Sequence, residues 1–209
     1  MYPFLFHALT LDRMSLASQI KLTNSLTMGL FSVWLLLRGE SPALVAIPGI
    51  SSLKYAYIYN NQDADKQKSH YLAWFLTTPI MLFLIFSLNS VSIDKTVILL
   101  ALNQLMIASG YFATIATTDT NIWRWFWIGC LAFIPIVVEL LRFSKGLPLI
   151  ILTLITWSAY PVVWYLSKKN LITDDTRDIS YSILDFTSKV GIVLLYLVEV
   201  GKLKIPREF

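Results

Sequence analysis

Cysteine is nearly absent from the 209 residues: Cys130 stands alone, which excludes a disulfide framework and a cysteine-based zinc site. Charge is scarce as well. Asp, Glu, Lys and Arg together make up 14% of the chain, against about 25% in soluble domains. The net charge of +4 is small and dispersed, which excludes a nucleic-acid-binding surface. Disordered chains are poor in aromatics and rich in charge, whereas aromatics reach 14% here, with 7 Trp. What is abundant is apolar: 56% of residues are hydrophobic and the mean hydropathy is +0.63. The composition is that of an integral membrane protein, with lipid as its first partner.

A membrane helix needs about 20 mostly apolar residues. Seven stretches meet this, at 15–37, 42–60, 70–88, 96–117, 122–142, 148–166 and 179–200. Lipid cannot satisfy backbone polar groups, so the spans must be helical. The expected fold is all-α: a single seven-helix membrane domain over residues 1–209. The apolar stretch Met1 to Met14 lacks a basic start followed by a small-residue cleavage site, and reads as an interfacial segment rather than a signal peptide. Charge does not orient the bundle. With the N-terminus outside, seven basic residues fall inside (Arg38, Lys95, Arg142, Lys145, Lys202, Lys204, Arg207). Eight fall outside (Arg13, Lys21, Lys66, Lys68, Arg124, Lys168, Lys169, Arg177). The basic tail favours an inside C-terminus.

Ionisable residues within spans are costly and mark function by default. Asp185 and Lys189 lie four residues apart in LDFTSK of the seventh span, on one helix face. Either they form a structural ion pair, or the lysine amine sits in a dry pocket where it forms a Schiff base with a carbonyl ligand. In the second case Asp185 is the counterion. WSAYPVVW in the sixth span places Trp157, Tyr160, Pro161 and Trp164 on one face, which suits helix packing or a ligand wall. HYLAWFLTTP in the third span adds Tyr71, Trp74, Thr77, Thr78 and Pro79; the proline is expected to kink the helix beside two hydroxyls able to bond the freed backbone.

These segments resemble the microbial (type 1) rhodopsins, the bacteriorhodopsin-like retinal proteins. WSAYPVVW resembles the sixth-helix retinal-pocket motif, LDFTSKVG the seventh helix, YLAWFLTTP the third, and LMIASG a fourth-helix stretch that contributes Met106 and Gly110. The resemblance covers about residues 15 to 200. It implies a seven-transmembrane-helix bundle enclosing all-trans retinal, bound covalently to Lys189 as a protonated Schiff base with Asp185 as counterion. It further implies that Trp74 stacks on the polyene, that Thr77 lies near the Schiff base and that Tyr55 helps hold Asp185. Not an enzyme but a light-activated ion transporter or photoreceptor is implied. So are an N-terminus outside, a cytoplasmic C-terminus, the plasma membrane as location, and homo-oligomers such as trimers or pentamers.

Departures from the family pattern bear on mechanism. Ala73 stands where outward pumps hold their proton-accepting Asp, and Leu84 where the proton donor sits. His70 replaces the third-helix Arg, and Arg177 stands where a proton-release Glu is usual. Outward proton pumping is therefore not expected. Loss of the third-helix carboxylate with retention of the seventh-helix Asp is similar to schizorhodopsin-type inward proton pumps, although those usually keep the Arg and many hold a Glu at the Leu84 position. Glu139 and Glu199 are then either late proton stations or ordinary interfacial carboxylates. The alternatives are a light-gated anion channel, as algal anion-channel rhodopsins share the pattern, or a photosensor signalling to a partner. Lys54 either snorkels outward or faces the interior. In the interior it would join His70 and Arg177 in a cationic outer half that attracts anions. His70 is a neutral end residue or a site of proton exchange with the medium. No metal site is expected.

Overall fold

The computed structural model describes residues 15–61 and 65–203, and the interfacial segment expected over Met1 to Met14 lies outside them. Seven helices follow one another: α1 (Leu16–Leu37), α2 (Pro42–Asn60), α3 (Lys66–Leu88), α4 (Ile93–Ile115), α5 (Asp119–Leu140), α6 (Leu147–Lys168) and α7 (Asp174–Glu199). There is no strand among the described residues. Each helix packs against the next, and α7 returns against α1, α2 and α3, so the bundle closes as a ring.

The starts of α3 and α7 differ most from the hydropathy reading. Each begins four or five residues earlier than 70 and 179. The extra turns are polar, and side-chain caps hold them. Asp65 accepts from the Lys68 amide at 2.9 Å and Thr173 from the Thr176 amide at 3.1 Å. α1 and α5 start similarly, on Ser15 and Thr118. These four starts share one end of the bundle, called here the Asp174 end. α4 stops at 115 rather than 117 at this same end, whereas at the opposite Glu199 end α5 stops at 140 rather than 142 and α6 follows Gly146 at φ +71°, a conformation suited to glycine.

Six of the described helices are long and apolar enough to cross a membrane, α2 being the exception. α2 carries Ser51, Ser52 and Lys54, and packs closely on α1. A Cβ on Gly29 would stand 2.9 Å from Ser52 Oγ, and one on Gly49 3.0 Å from Ser32 Oγ. Ser25 and Ser52 exchange hydroxyl-to-carbonyl bonds across the same seam. Small residues that let backbones approach and hydroxyls that bond between helices are the usual adhesives in lipid, where no hydrophobic force joins helices.

The Pro79 region corrects one expectation. Proline at 79 frees the carbonyl of Phe75, and Gln104 of α4 bonds it through Nε2 at 3.0 Å. Thr77 and Thr78 instead bond the carbonyls of Ala73 and Trp74 in the preceding turn, each at 2.8 Å.

Candidate Schiff-base site and pocket

The seventh helix places Asp178, Ser182, Asp185 and Lys189 along one inward face, all at most 2% exposed. Lys189 Nζ lies 2.9 Å from Asp185 Oδ1. Its other partner is Ser188 Oγ at 3.2 Å. The carboxylate itself is crowded. Trp74 Nε1 donates to Oδ1 at 2.9 Å and Tyr160 Oη donates to it at 2.7 Å. On the other oxygen, Oδ2, Tyr55 Oη donates at 2.9 Å and Lys54 Nζ forms an ion pair. Four helices thus converge on one carboxylate, and hydrogen bonds to the charged form favour that form.

Lys54 settles between its two readings: it does not snorkel but points inward, 7% exposed. Beside it, His70 Nδ1 lies 3.1 Å from Lys54 Nζ. The imidazole is boxed by Tyr55, Trp74 and Tyr181 at 5.6–6.0 Å between ring centroids. His70 Nε2 has no protein hydrogen-bond partner among the described residues.

From Lys189 an apolar cavity of about 160 Å³ runs between α3, α4, α5 and α6. Of the expected wall, Tyr71, Trp74, Thr78, Met106, Gly110, Trp157, Tyr160, Pro161 and Trp164 line it. Thr77 does not: it is fully buried against its own helix. Tyr55 acts on Asp185 rather than on the cavity. Ile107, Phe126, Gly129, Cys130, Phe133 and Tyr181 complete the lining. The far end is closed by Trp164, stacked on Phe126 at 5.0 Å and donating from Nε1 to Thr114 Oγ1 at 3.1 Å. Two lining residues are glycines at close contacts with their neighbours. A Cβ on Gly110 would meet Tyr71 Cε1 at 2.8 Å, and one on Gly129 would meet the Met106 carbonyl at 3.3 Å.

The sequence matches the family model described as bacteriorhodopsin-like protein over residues 26–203. The chain belongs to that family. Its members are retinal-binding ion pumps, channels or sensors, and not enzymes. Among relatives, Opsin-1 of Neurospora crassa is 26% identical over 137 residues, which is 57% of this chain and under half, 44%, of that one. Sensory rhodopsin-2 of Haloarcula vallismortis is 28% identical, covering 76% of this chain and 77% of its own length. The solved structure of the light-driven proton pump LR (Mac) from Leptosphaeria maculans superimposes with a TM-score of 0.80 at 20% identity, over 90% of this chain and 96% of that one; this likeness is one of fold.

Retinal, a long apolar aldehyde, fits the residues present in this rhodopsin. The cavity is lined almost wholly by apolar and aromatic groups, and a buried amine paired to a carboxylate stands at one end of it.

The remaining candidates do not gather at this site. Ala73 and Leu84 are buried on α3 and bring no polar atom. Arg177 belongs to the Asp174 end. There it pairs with Asp174 at 2.6 Å and Asp178 at 3.3 Å, so it does not join Lys54 and His70 in a free cationic half. Glu139 is held by Lys95 at 2.7 Å and Arg142 at 3.4 Å. Glu199 is exposed and accepts from the Gly146 amide at 3.0 Å, ending one helix and starting another. One charged residue escaped the sequence reading. Asp178, 2% exposed, is surrounded by Lys21, Lys66 and Arg177 at 3.3–3.7 Å. Its spacing of seven from Asp185 was the available signal, hidden by starting the span at 179.

Proposed function

We propose that this rhodopsin carries all-trans retinal on Lys189 as a protonated Schiff base with Asp185 as counterion, and that light drives protons inward through it. The Lys189–Asp185 pair beside the aromatic cavity carries this reading. Bound retinal supplies a light-driven isomerisation that changes the direction and basicity of the nitrogen it shares with Lys189.

The chain's own residues bias where a proton can go. Asp185 holds five donors on its two oxygens, including two amines, and so makes a poor acceptor. Ala73 offers no alternative. Toward the Asp174 end a departing proton next meets Lys54, then the Lys21, Lys66 and Arg177 cluster, which repel positive charge. Departure toward the Glu199 end is opposed by no cation before the rim. In this proposal the Asp174 end lies outside and the Glu199 end faces the cytoplasm across the plasma membrane. The polar caps of α1, α3, α5 and α7 then share the outer rim. Loss of the carboxylate at position 73 with retention of Asp185 supports likeness to schizorhodopsin-type inward pumps; assembly as trimers or pentamers is part of the same family-based proposal.

One observation favours a second reading, a photosensor. The half of the bundle between Lys189 and the Glu199 end is packed with Met81, Leu82, Leu84, Ile85, Phe86 and Val193, and the Thr153 and Thr156 hydroxyls there bond carbonyls of their own helix. The deciding experiment is light-induced pH change in unbuffered cells given all-trans retinal, with and without a protonophore. Alkalinisation of the medium that the protonophore abolishes is the result expected. If no change occurs, voltage-clamp currents discriminate the rest: reversal with the chloride gradient means an anion channel, and absence of current means a sensor.

A further inference from the structure

Asp185 is shared between two amines from different helices. Lys189 of α7 takes Oδ1, and Lys54 of α2 takes Oδ2. No other carboxylate touches either amine among the described residues; Asp178 lies two turns away and is engaged by Lys21, Lys66 and Arg177. One negative charge neutralises one ammonium, and a second buried cation is unfavourable without a partner of its own. Lys54 has partial substitutes. His70 Nδ1 stands 3.1 Å away, and the Tyr55 ring lies beneath Nζ at 3.8 Å from its centroid.

The other groups facing this point are accounted for. Tyr160 of α6 and Trp74 of α3 both donate to Oδ1, on the Lys189 side. Tyr181 of α7 packs on His70, and Asn24 of α1 donates to the Ser182 carbonyl at 2.8 Å rather than to either amine. On Oδ2 the Tyr55 hydroxyl donates at 2.9 Å and His70 Nδ1 stands at 3.8 Å, and Lys54 is the one lysine amine there, among the described residues, to oppose Lys189 across the carboxylate. A lysine at that point is not explained by packing: at 3% side-chain exposure its ammonium has been turned away from any aqueous rim.

We propose that Lys54 is the second cation of the counterion complex, a positioning residue that competes with the nitrogen at Lys189 for Asp185 and weakens the hold on a protonated Schiff base there. His70 serves as the partner that keeps the Lys54 amine in place. The inference rests on retinal being carried at Lys189, and it deepens that reading by naming what regulates the site.

The test compares parent, Lys54→Met, Lys54→Gln and Lys54→Arg, each supplied with all-trans retinal, with Lys95→Met as a control outside the site. With the competing cation gone, Asp185 serves Lys189 alone. The visible band is expected at shorter wavelength in the Met and Gln variants. It is also expected to persist to a pH about one unit higher, a tenfold gain in proton affinity. Lys54→Arg restores the parental band, and Lys95→Met does not move it. A second readout needs no retinal: the infrared carboxylate stretch assigned to Asp185 by isotope labelling shifts in Lys54→Gln and not in Lys95→Met. If Lys54→Gln leaves band, titration and carboxylate stretch at parental values, the proposal is overturned. Absence of any visible band in the parent, with the carboxylate stretch still shifted by Lys54→Gln, would defeat the retinal reading and leave the Lys54–Asp185 competition standing.

Discussion

The two halves of the bundle solve opposite problems. Toward the Asp174 end, buried Lys21, Lys54, His70, Asp178, Asp185 and Lys189 lie inside a membrane-spanning structure, the first five tied to groups on other helices and Lys189 to Asp185 on its own. Toward the Glu199 end the described interior is mostly apolar, the buried Thr96, Thr153 and Thr156 aside, and charges occur at the rim as compact pairs such as Lys95–Glu139 and Lys202–Glu40. The difference teaches where structure ends and chemistry begins. Van der Waals packing with short interhelical hydrogen bonds, such as that from Ser32 Oγ to the Val45 carbonyl at 2.9 Å, holds the second half together without buried ion pairs between its spans. The first half carries charges whose burial packing alone does not require, and they cluster where the cavity meets α7.

Substitutions should separate the halves by the size and kind of their effects. Lys189→Ala is expected to remove the visible band completely after retinal addition; a band that survives in that variant refutes the assignment. Asp185→Asn leaves Lys54 and Lys189 facing a neutral amide. Removing one partner of a buried ion pair costs about 3–5 kcal/mol, so thermal melts in detergent should drop sharply. Any pigment that forms should also lose its visible form at lower pH than the parent. Unchanged melting and titration would mean that another anion neutralises the two amines. Met81→Ala, in the apolar half, should cost roughly 2 kcal/mol, because the loss there is one of van der Waals contact, and should leave the band in place. Lys95→Met breaks a rim pair whose lysine is 45% exposed. Its cost should stay below about 1 kcal/mol, with no spectral change.

Much of this was legible in the sequence because membrane helices are constrained locally. Apolar length marks a span, and the WSAYPVVW face anticipated Trp157, Tyr160, Pro161 and Trp164 together on the cavity wall. What escaped depended on position in three dimensions. The first turns of α3 and α7 are polar, so hydropathy truncated them, although Asp65 and Thr173 are recognisable caps. The truncation hid Asp178. The direction of Lys54 was unreadable because both residues 54 and 55 are buried, on a helix enclosed by α1, α3 and α7. α5 offered no distinctive motif, yet Phe126, Gly129, Cys130 and Phe133 form one side of the cavity. The candidate carboxylates Glu139 and Glu199 looked similar in sequence; only tertiary partners showed each committed to a neighbouring cation or helix start.

The ring of helices closes by a small clasp. Arg38 Nη2 donates to the Lys202 carbonyl at 2.7 Å, and Lys202 Nζ reaches Glu40 Oε2 at 2.7 Å, joining the turn after α1 to the end of α7. First and last helices are therefore neighbours, but the count is odd, so the start of α1 and the end of α7 lie at opposite ends of the bundle. A circular permutation of this scaffold would need an eighth crossing to reconnect its ends. Conversely, labels at Leu16 and Leu203 would sit at the two opposite ends of the bundle, separated by the length of its helices.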